Sequence, residues 1–408
     1  MHTFSPLTTN SYNRLRDESL DFKGIPAGQG LHSIHPYPAM FHFLLVRKFI
    51  NELSSEGDLI LDPFCGSGVS AVEAIINNRN YVGYDINPLA VLIAKVRTTP
   101  ISTERAFKLL ELILKQDVKD YEIPKFPNIE YWFDEDVIEE LAKLKAIIFN
   151  IEDIKLQNLF KVAFSETIRL VSRADHSEFK LVRAKKAKKK DVKLVFETIA
   201  KRNIINLSVL SNLTFKAHVD IRQFNVLDNL PIEDESVDLV ITSPPYGDSK
   251  TTVAYEQFSK LSIKWLGLND SFKNYQLGAK EKNYEYALPS DELSEYLEEI
   301  KRADEKRAKD VYSFYVDLYR AIENISKKVK PGKYAVIVVG NRRVKGVELP
   351  TDKICASFFS QFGFVHIITL VRAISNKRMP SENSPSNIKG DKSRTMNYEY
   401  IVILQKKY

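Results

Sequence analysis

An α/β fold is predicted: a mostly parallel sheet with helices on both faces, an antiparallel edge hairpin near the chain end, and a helical insertion. Three observations predict it. Short apolar runs that stop at Gly- or Asp-containing turns alternate with segments of helical period, the pattern of strands joined by crossover helices. The first such run leads straight into a Gly-rich turn. A long stretch from Pro100 to Leu213 carries helical periodicity and no strand signal.

Taken in order, an apolar helical pattern from Phe41 to Leu53 precedes "GDLILDPFCGSG", in which Leu59 to Leu61 read as a short buried strand. A helix follows from Val69 to Asn77. The next strand, Tyr81 to Tyr84, ends at Asp85, and "INPLAVLIAKV" starts another helix with Pro88 near its first turn. After the helical stretch, strands return at Ala217 to Phe224 and Val237 to Thr242. A helix through Tyr319 and Ile322 then meets the Pro331-Gly332 turn, "KYAVIVVGN" reads as a buried strand, and strands at Phe364 to Val371 and Tyr398 to Leu404 finish the chain. The alternation is Rossmann-like. Residues 1–99 and 216–408 form the expected catalytic domain, 100–215 a helical insertion, and 247–306 a second insertion within the domain.

Composition narrows the class. At 408 residues and 44% hydrophobic content the chain has material for a full core and an added module. No apolar run approaches the roughly 18 residues of a membrane span, and the N-terminus lacks the succession of a secretory signal, so a cytoplasmic setting without membrane contact is expected. Cys65 and Cys355 are too few for a disulfide framework and have no metal-binding spacing, so no metal is expected. A net charge of +6 mildly favours an anionic partner.

In an open parallel sheet, ligands lie beyond the carboxyl ends of the strands, which places a cofactor at the turn Asp62-Pro63-Phe64-Cys65-Gly66-Ser67-Gly68. Gly66 and Gly68 permit backbone shapes and close approaches that side chains block, and the next helix offers its N-terminus. Asp85, at the end of the second strand, is spaced to hold the two hydroxyls of a ribose, with Asn87 beside it. The plain alternative is a turn whose glycines serve packing alone.

"TSPPY" follows the apolar run "DLVI", so Ser243, Pro244, Pro245 and Tyr246 also stand at a strand's carboxyl end and face the same cleft. Two prolines remove two backbone donors and hold the chain extended, leaving acceptors that suit an amine. Tyr246 offers a surface on which a base rotated out of a duplex can stack. Ser243 has no His or Asp partner in the sequence pattern and is not read as a covalent nucleophile.

"DPFCGSG" together with "TSPPY" resembles the amino-methyltransferases of DNA. The resemblance covers roughly residues 32 to 95 and 217 to 407. It implies S-adenosylmethionine as cofactor, gripped at its methionine end by the first motif and at its ribose by Asp85. "HPYPAMF", with Pro36 and Tyr37, resembles the family's N-terminal motif closing over the methionine end, and Asp228 in "NVLDNLP" resembles the acid beside the adenine ring, although it also reads as a turn aspartate before Pro231. In the family, Ser in the first position of the catalytic turn goes with cytosine N4, Asp or Asn with adenine N6. The expectation is therefore site-specific methylation of cytosine N4 in double-stranded DNA within a restriction-modification system, alongside a separate cognate endonuclease. Adenine N6 methylation is the alternative, followed by action on RNA or a protein amide and by a non-catalytic binding protein.

For DNA contact the candidates are Lys185, Lys186, Lys188, Lys189 and Lys190 in "RAKKAKKKDVK", and Lys377 and Arg378 in "SNKRMPSENSPSN". Such cations reach phosphates or base edges, or else form a solvated face. Either insertion is a candidate recognition region, which departs from the single region the family usually shows.

Overall fold

The computed structural model describes residues 12–408 except 178, 187–188, 212, 214–215, 248–254, 285–286, 375–381, 384–392 and 395, with backbone alone at 382–383 and 393–394. Its centre is an eight-stranded sheet. In chain order the strands are β1 (Arg14–Arg16), β2 (Leu59–Asp62), β3 (Asn80–Asp85), β4 (Val219–Gln223), β5 (Val237–Thr242), β6 (Val329–Val339), β7 (Phe364–Ala373) and β8 (Tyr398–Lys406). Across the sheet they run β1, β7, β8, β6, β5, β2, β3, β4. All neighbours are parallel except β8, which pairs antiparallel with both β6 and β7. The antiparallel pair predicted from the last two strand signals therefore sits at one end of the sheet, with β8 tucked inside it. The edge itself is β1, three residues too short to leave a periodic signal.

Period-2 alternation sends neighbouring residues to opposite faces. Ile60, Leu239, Ile241, Val336, Val338, Ile401 and Ile403 pack on one face against α1 (Phe43–Leu53) and α2 (Val69–Ile76). Leu61, Val240, Ile337, Val339 and Val402 belong to the other face. There the helices are α9 (Asp291–Ala303), α10 (Glu305–Lys328) and α11 (Thr351–Ser360). Every residue of β5 is buried, as a central strand covered on both sides must be. The Pro331-Gly332 turn lies within β6, not before it: the β5–β6 register shifts there, and Gly332 takes φ +76° where a Cβ would meet the Tyr408 ring at 2.7 Å.

Between β3 and β4 the chain forms α3 (Pro88–Arg97), α4 (Thr103–Lys115), α5 (Glu135–Phe149), α6 (Ile154–Val171) and α7 (Val192–Ser211). One apolar cluster joins these helices to α8 (Tyr255–Leu266) of the second insertion. Trp265 of α8 is fully buried, with its ring edge-on to Phe126, Phe133 and Phe164. Ser262 donates to the Ser165 carbonyl at 2.8 Å. The two insertions thus share a core. Among the described residues no helix is long and apolar enough to cross a membrane.

Candidate active site

The strand order reverses beside β2 and β5, and the crevice of such a sheet opens beyond the carboxyl ends of those strands. A cleft lies there. Asp62 to Ser67, Asp85, Asn87, Phe224, Asn225, Ser243 and Pro245 all line it.

The Gly-rich loop is held from beneath. Asp62 is buried and accepts from Thr242 Oγ1 at 2.6 Å, Ser70 Oγ at 2.5 Å and the Phe64 N–H at 3.1 Å. Burial pushes its carboxyl up to about 6 against the pull of those bonds. Its oxygens face the loop's own framework, so it ties β2, β5 and α2 together at the cleft floor. The two glycines do different work. Gly68, at φ +83°, lets α2 pass close to α3, since a Cβ there would sit 2.7 Å from the Ala94 Cβ. Gly66, at φ +49°, would carry a Cβ with nothing nearer than Tyr37 at 3.7 Å, so the missing side chain keeps room in the cleft.

Asp85 closes the loop from β3. One carboxylate oxygen accepts the Gly66 N–H at 2.9 Å, the other the Asn87 N–H at 2.7 Å. Burial pushes its carboxyl up to about 6, opposed by the two backbone bonds and assisted by nearby Asp62. Asn87 caps α3 by accepting the Leu89 N–H and donates to Tyr37 Oη and Ser259 Oγ, each at 3.0 Å. Tyr37 lies against Tyr255 and edge-on to Phe258, so the N-terminal motif and α8 meet over the same loop. Pro63, Phe64 and Ser67 line the cleft as well, whereas Pro36 is exposed and stands outside it.

Sequence reasoning missed Arg97. It is fully buried and donates to the Ser67 carbonyl at 2.9 Å, Ser67 Oγ at 2.8 Å, and the His32 and His35 carbonyls at 3.0 and 2.9 Å. Burial lowers its guanidinium to about 9, with the positive charge of Arg202 adding to the effect. One side chain thereby fastens the Gly-rich loop to the N-terminal motif. Its signal in the sequence is slight, an arginine at the end of an apolar helix. Asn225 is a second omission: it lines the cleft, while Asp228 stands exposed three positions further on.

The Ser243–Tyr246 turn leaves β5 opposite this loop. Ser243 Oγ lies 3.2 Å from Tyr246 Oη and 3.1 Å from the Val338 carbonyl of β6. Tyr246 Oη donates to Glu399 Oε1 at 3.0 Å, and Arg372 Nε donates to Glu399 Oε2 at 2.7 Å. Pro244 is buried. Burial, reinforced by the charge of Glu399, holds the Tyr246 hydroxyl well above its ordinary range. Gly340 makes room for this cluster, because a Cβ there would lie 2.8 Å from the Tyr246 ring.

Among the candidate DNA contacts, Lys185, Lys186 and Lys189 are exposed and Lys190 is half-buried; Lys189 pairs with Asp136 of α5. Lys188, Lys377 and Arg378 lie outside the described residues.

Comparison with known proteins follows the same lines. A family model described as DNA methylase matches residues 5–96. The type II methyltransferase M.MvaI of Kocuria varians is 37% identical over 416 residues, covering 92% of this chain and 90% of its own length. M.BsoBI of Geobacillus stearothermophilus, also a type II methyltransferase, is 23% identical over 424 residues, covering 85% of this chain and 82% of its own. Among solved structures, a SAM-dependent methyltransferase of Methanosarcina mazei covers 91% of this chain and 99% of its own at 12% identity, with a TM-score of 0.31. Because the likeness to M.MvaI runs nearly end to end, the chain belongs to the S-adenosylmethionine-dependent DNA amino-methyltransferases, as a type II DNA methyltransferase of the class that modifies cytosine N4 or adenine N6.

Proposed function

We propose that this enzyme methylates the N4 amino group of cytosine at a specific site in duplex DNA. The observation that carries the reading is Ser243 in the first position of the catalytic turn, lining the cleft with its own proton directed to the Tyr246 oxygen or the Val338 carbonyl. Such a hydroxyl keeps lone pairs for an amine in the cleft. The setting proposed is a bacterial-type cytoplasm and a restriction-modification system, with a separate endonuclease reading the same site.

The residues present fit the cofactor. Gly66 leaves a cradle that a Cβ would fill, Asp85 offers a carboxylate at its rim, and Phe64, Phe224 and Val226 give apolar walls for an adenine ring. When bound, S-adenosylmethionine supplies the methyl group. Asp85 accepts from the ribose hydroxyls, Asn225 stands beside the adenine slot, and Tyr37, Pro63 and Ser67 enclose the methionine end. Tyr246 presents its ring to the rotated base, while Ser243 and the Pro244 carbonyl accept the two amine hydrogens. This draws the nitrogen out of conjugation and aims its lone pair along the transfer line, so that positioning supplies most of the acceleration. The shared core of the two insertions supports reading them as one DNA-recognition body, with Lys185, Lys186 and Lys190 meeting phosphate.

The test is direct. Unmethylated duplex DNA is incubated with enzyme and cofactor, digested to nucleosides and analysed by mass spectrometry. N4-methylcytosine is the expected product; N6-methyladenine would overturn the base assignment.

A further inference from the structure

The geometry points to a proton path from Ser243 through Tyr246 to Glu399, in which Glu399 is the final acceptor of the proton that the methylated amine sheds. It rests on the reading of Ser243 as the group that meets the amine. When the nitrogen–carbon bond forms, the sulfur–carbon bond breaks with its electron pair remaining on sulfur, and the nitrogen is left with a positive charge and a proton to lose. Ser243 Oγ takes that proton and passes its own to Tyr246 Oη. Tyr246 passes its own in turn to Glu399 Oε1. The base ends neutral, Ser243 and Tyr246 end as they began, and Glu399 ends protonated.

Each link is a contact already in place. Arg372 engages one oxygen of Glu399 at 2.7 Å and leaves the other for Tyr246 at 3.0 Å. A tyrosine hydroxyl that donates to Glu399 has its oxygen free to accept from Ser243, which lies 3.2 Å away. Arg372 is fixed in turn, since it is buried and donates to the Leu20 carbonyl at 3.0 Å. The acceptor is therefore oriented before substrate arrives. The tyrosine keeps its proton at rest, so it acts as a conduit with no charge of its own. The charged and titratable groups around Glu399 are Arg372 from β7, Tyr246 from the catalytic turn, Tyr255 from α8, and His42 just before α1.

Single-turnover methylation by the full-length variants Tyr246→Phe and Glu399→Gln tests the path. Tyr246→Phe keeps the stacking ring and removes only the conduit. Both variants are expected to lose roughly 100-fold in rate, within the range for general acid–base groups, with DNA and cofactor affinities at parent values. Because the groups act as one unit, the double variant is expected to be no slower than the slower single variant. A parent rate in either variant, losses that multiply in the double variant, or a loss seen only as weaker DNA binding would overturn the path. Should Glu399→Gln fold poorly, Tyr246→Phe decides alone. Mass spectrometry of the same samples separates the two readings: N6-methyladenine would end the cytosine assignment and leave the path, which serves any exocyclic amine, to be judged by the rates.

Discussion

On the cofactor side of the cleft, Asp62, Gly66, Gly68, Asp85 and Asn87 come from one continuous run of chain and are joined by bonds to backbone N–H groups and to neighbours in β5 and α2. On the side proposed to meet the base, Ser243 and Tyr246 depend on Val338, Arg372 and Glu399, which arrive from three other strands. The first side is a local device that any chain with this motif can carry. The second rests on long-range placement, because β8 lies between β6 and β7 and there brings Glu399 to Tyr246. Binding and chemistry should therefore respond to different substitutions.

The sharpest separation is expected from Ser243→Ala. Loss of one oriented polar group at a reacting centre typically costs about 100- to 1000-fold in turnover, and cofactor affinity by calorimetry should stay at the parent value. A matching fall in cofactor affinity would show that the two sides are one cooperative unit. Arg97→Met strikes the opposite side from below. It strips donors from the His32 and His35 carbonyls and from Ser67, and with several buried acceptors left unpaired it should cost about 3 kcal/mol in denaturant unfolding. Cofactor binding should weaken with it.

Asp85→Asn probes the rim of the cofactor side, with an expected loss of about 2 kcal/mol in affinity for S-adenosylmethionine. The pH dependence has a definite sign. The Asp85 carboxyl is raised to about 6, so the ionised acceptor that ribose hydroxyls prefer is lost as pH falls through 6, and affinity should drop there. Titration calorimetry between pH 5 and 8 should show that drop in the parent, flattened in Asp85→Asn. A fall that persists unchanged would shift the effect to Asp62, whose carboxyl also lies near 6. The smallest effect is expected from Lys185→Gln, Lys186→Gln and Lys190→Gln combined. DNA binding should weaken alike for all sequences, with the salt slope reduced by up to about 0.9 for each phosphate contact removed. Lys189, already engaged by Asp136, should add little.

The same contrast explains what the sequence made legible. The strand-turn-helix units from Leu59 to Arg97 are local, and their apolar runs, glycines and strand-end acids stand in order along the chain. Val237 to Thr242 was equally plain, since a central strand buried on both faces is continuously apolar. Long-range partners leave no such trace. Nothing near Glu399 or Arg372 marks them as neighbours of Tyr246, and Arg97 looks like an ordinary basic helix end until the fold buries it. Asn225 and Asp228 show a finer limit, because both stand in one turn after β4 and only its three-dimensional path decides which reaches the cleft. The insertions, seemingly separate in sequence, are joined by the burial of Trp265.

β1 carries a consequence for how the protein behaves in a crowded solution. Without its three residues, β7 would present a long, unsatisfied border of N–H and C=O groups, a template for strands of other molecules. β1 covers Thr369 to Val371 of that border, is too short to extend pairing, and has Arg14 and Arg16 exposed. Arg14 is anchored by two bonds to Asp352 at 2.7 and 2.8 Å, and Arg16 by one to Asp21 at 2.6 Å, so the cover is fastened by charge instead of by a long ladder. These few residues thus cap the part of the sheet edge that adjoins Arg372.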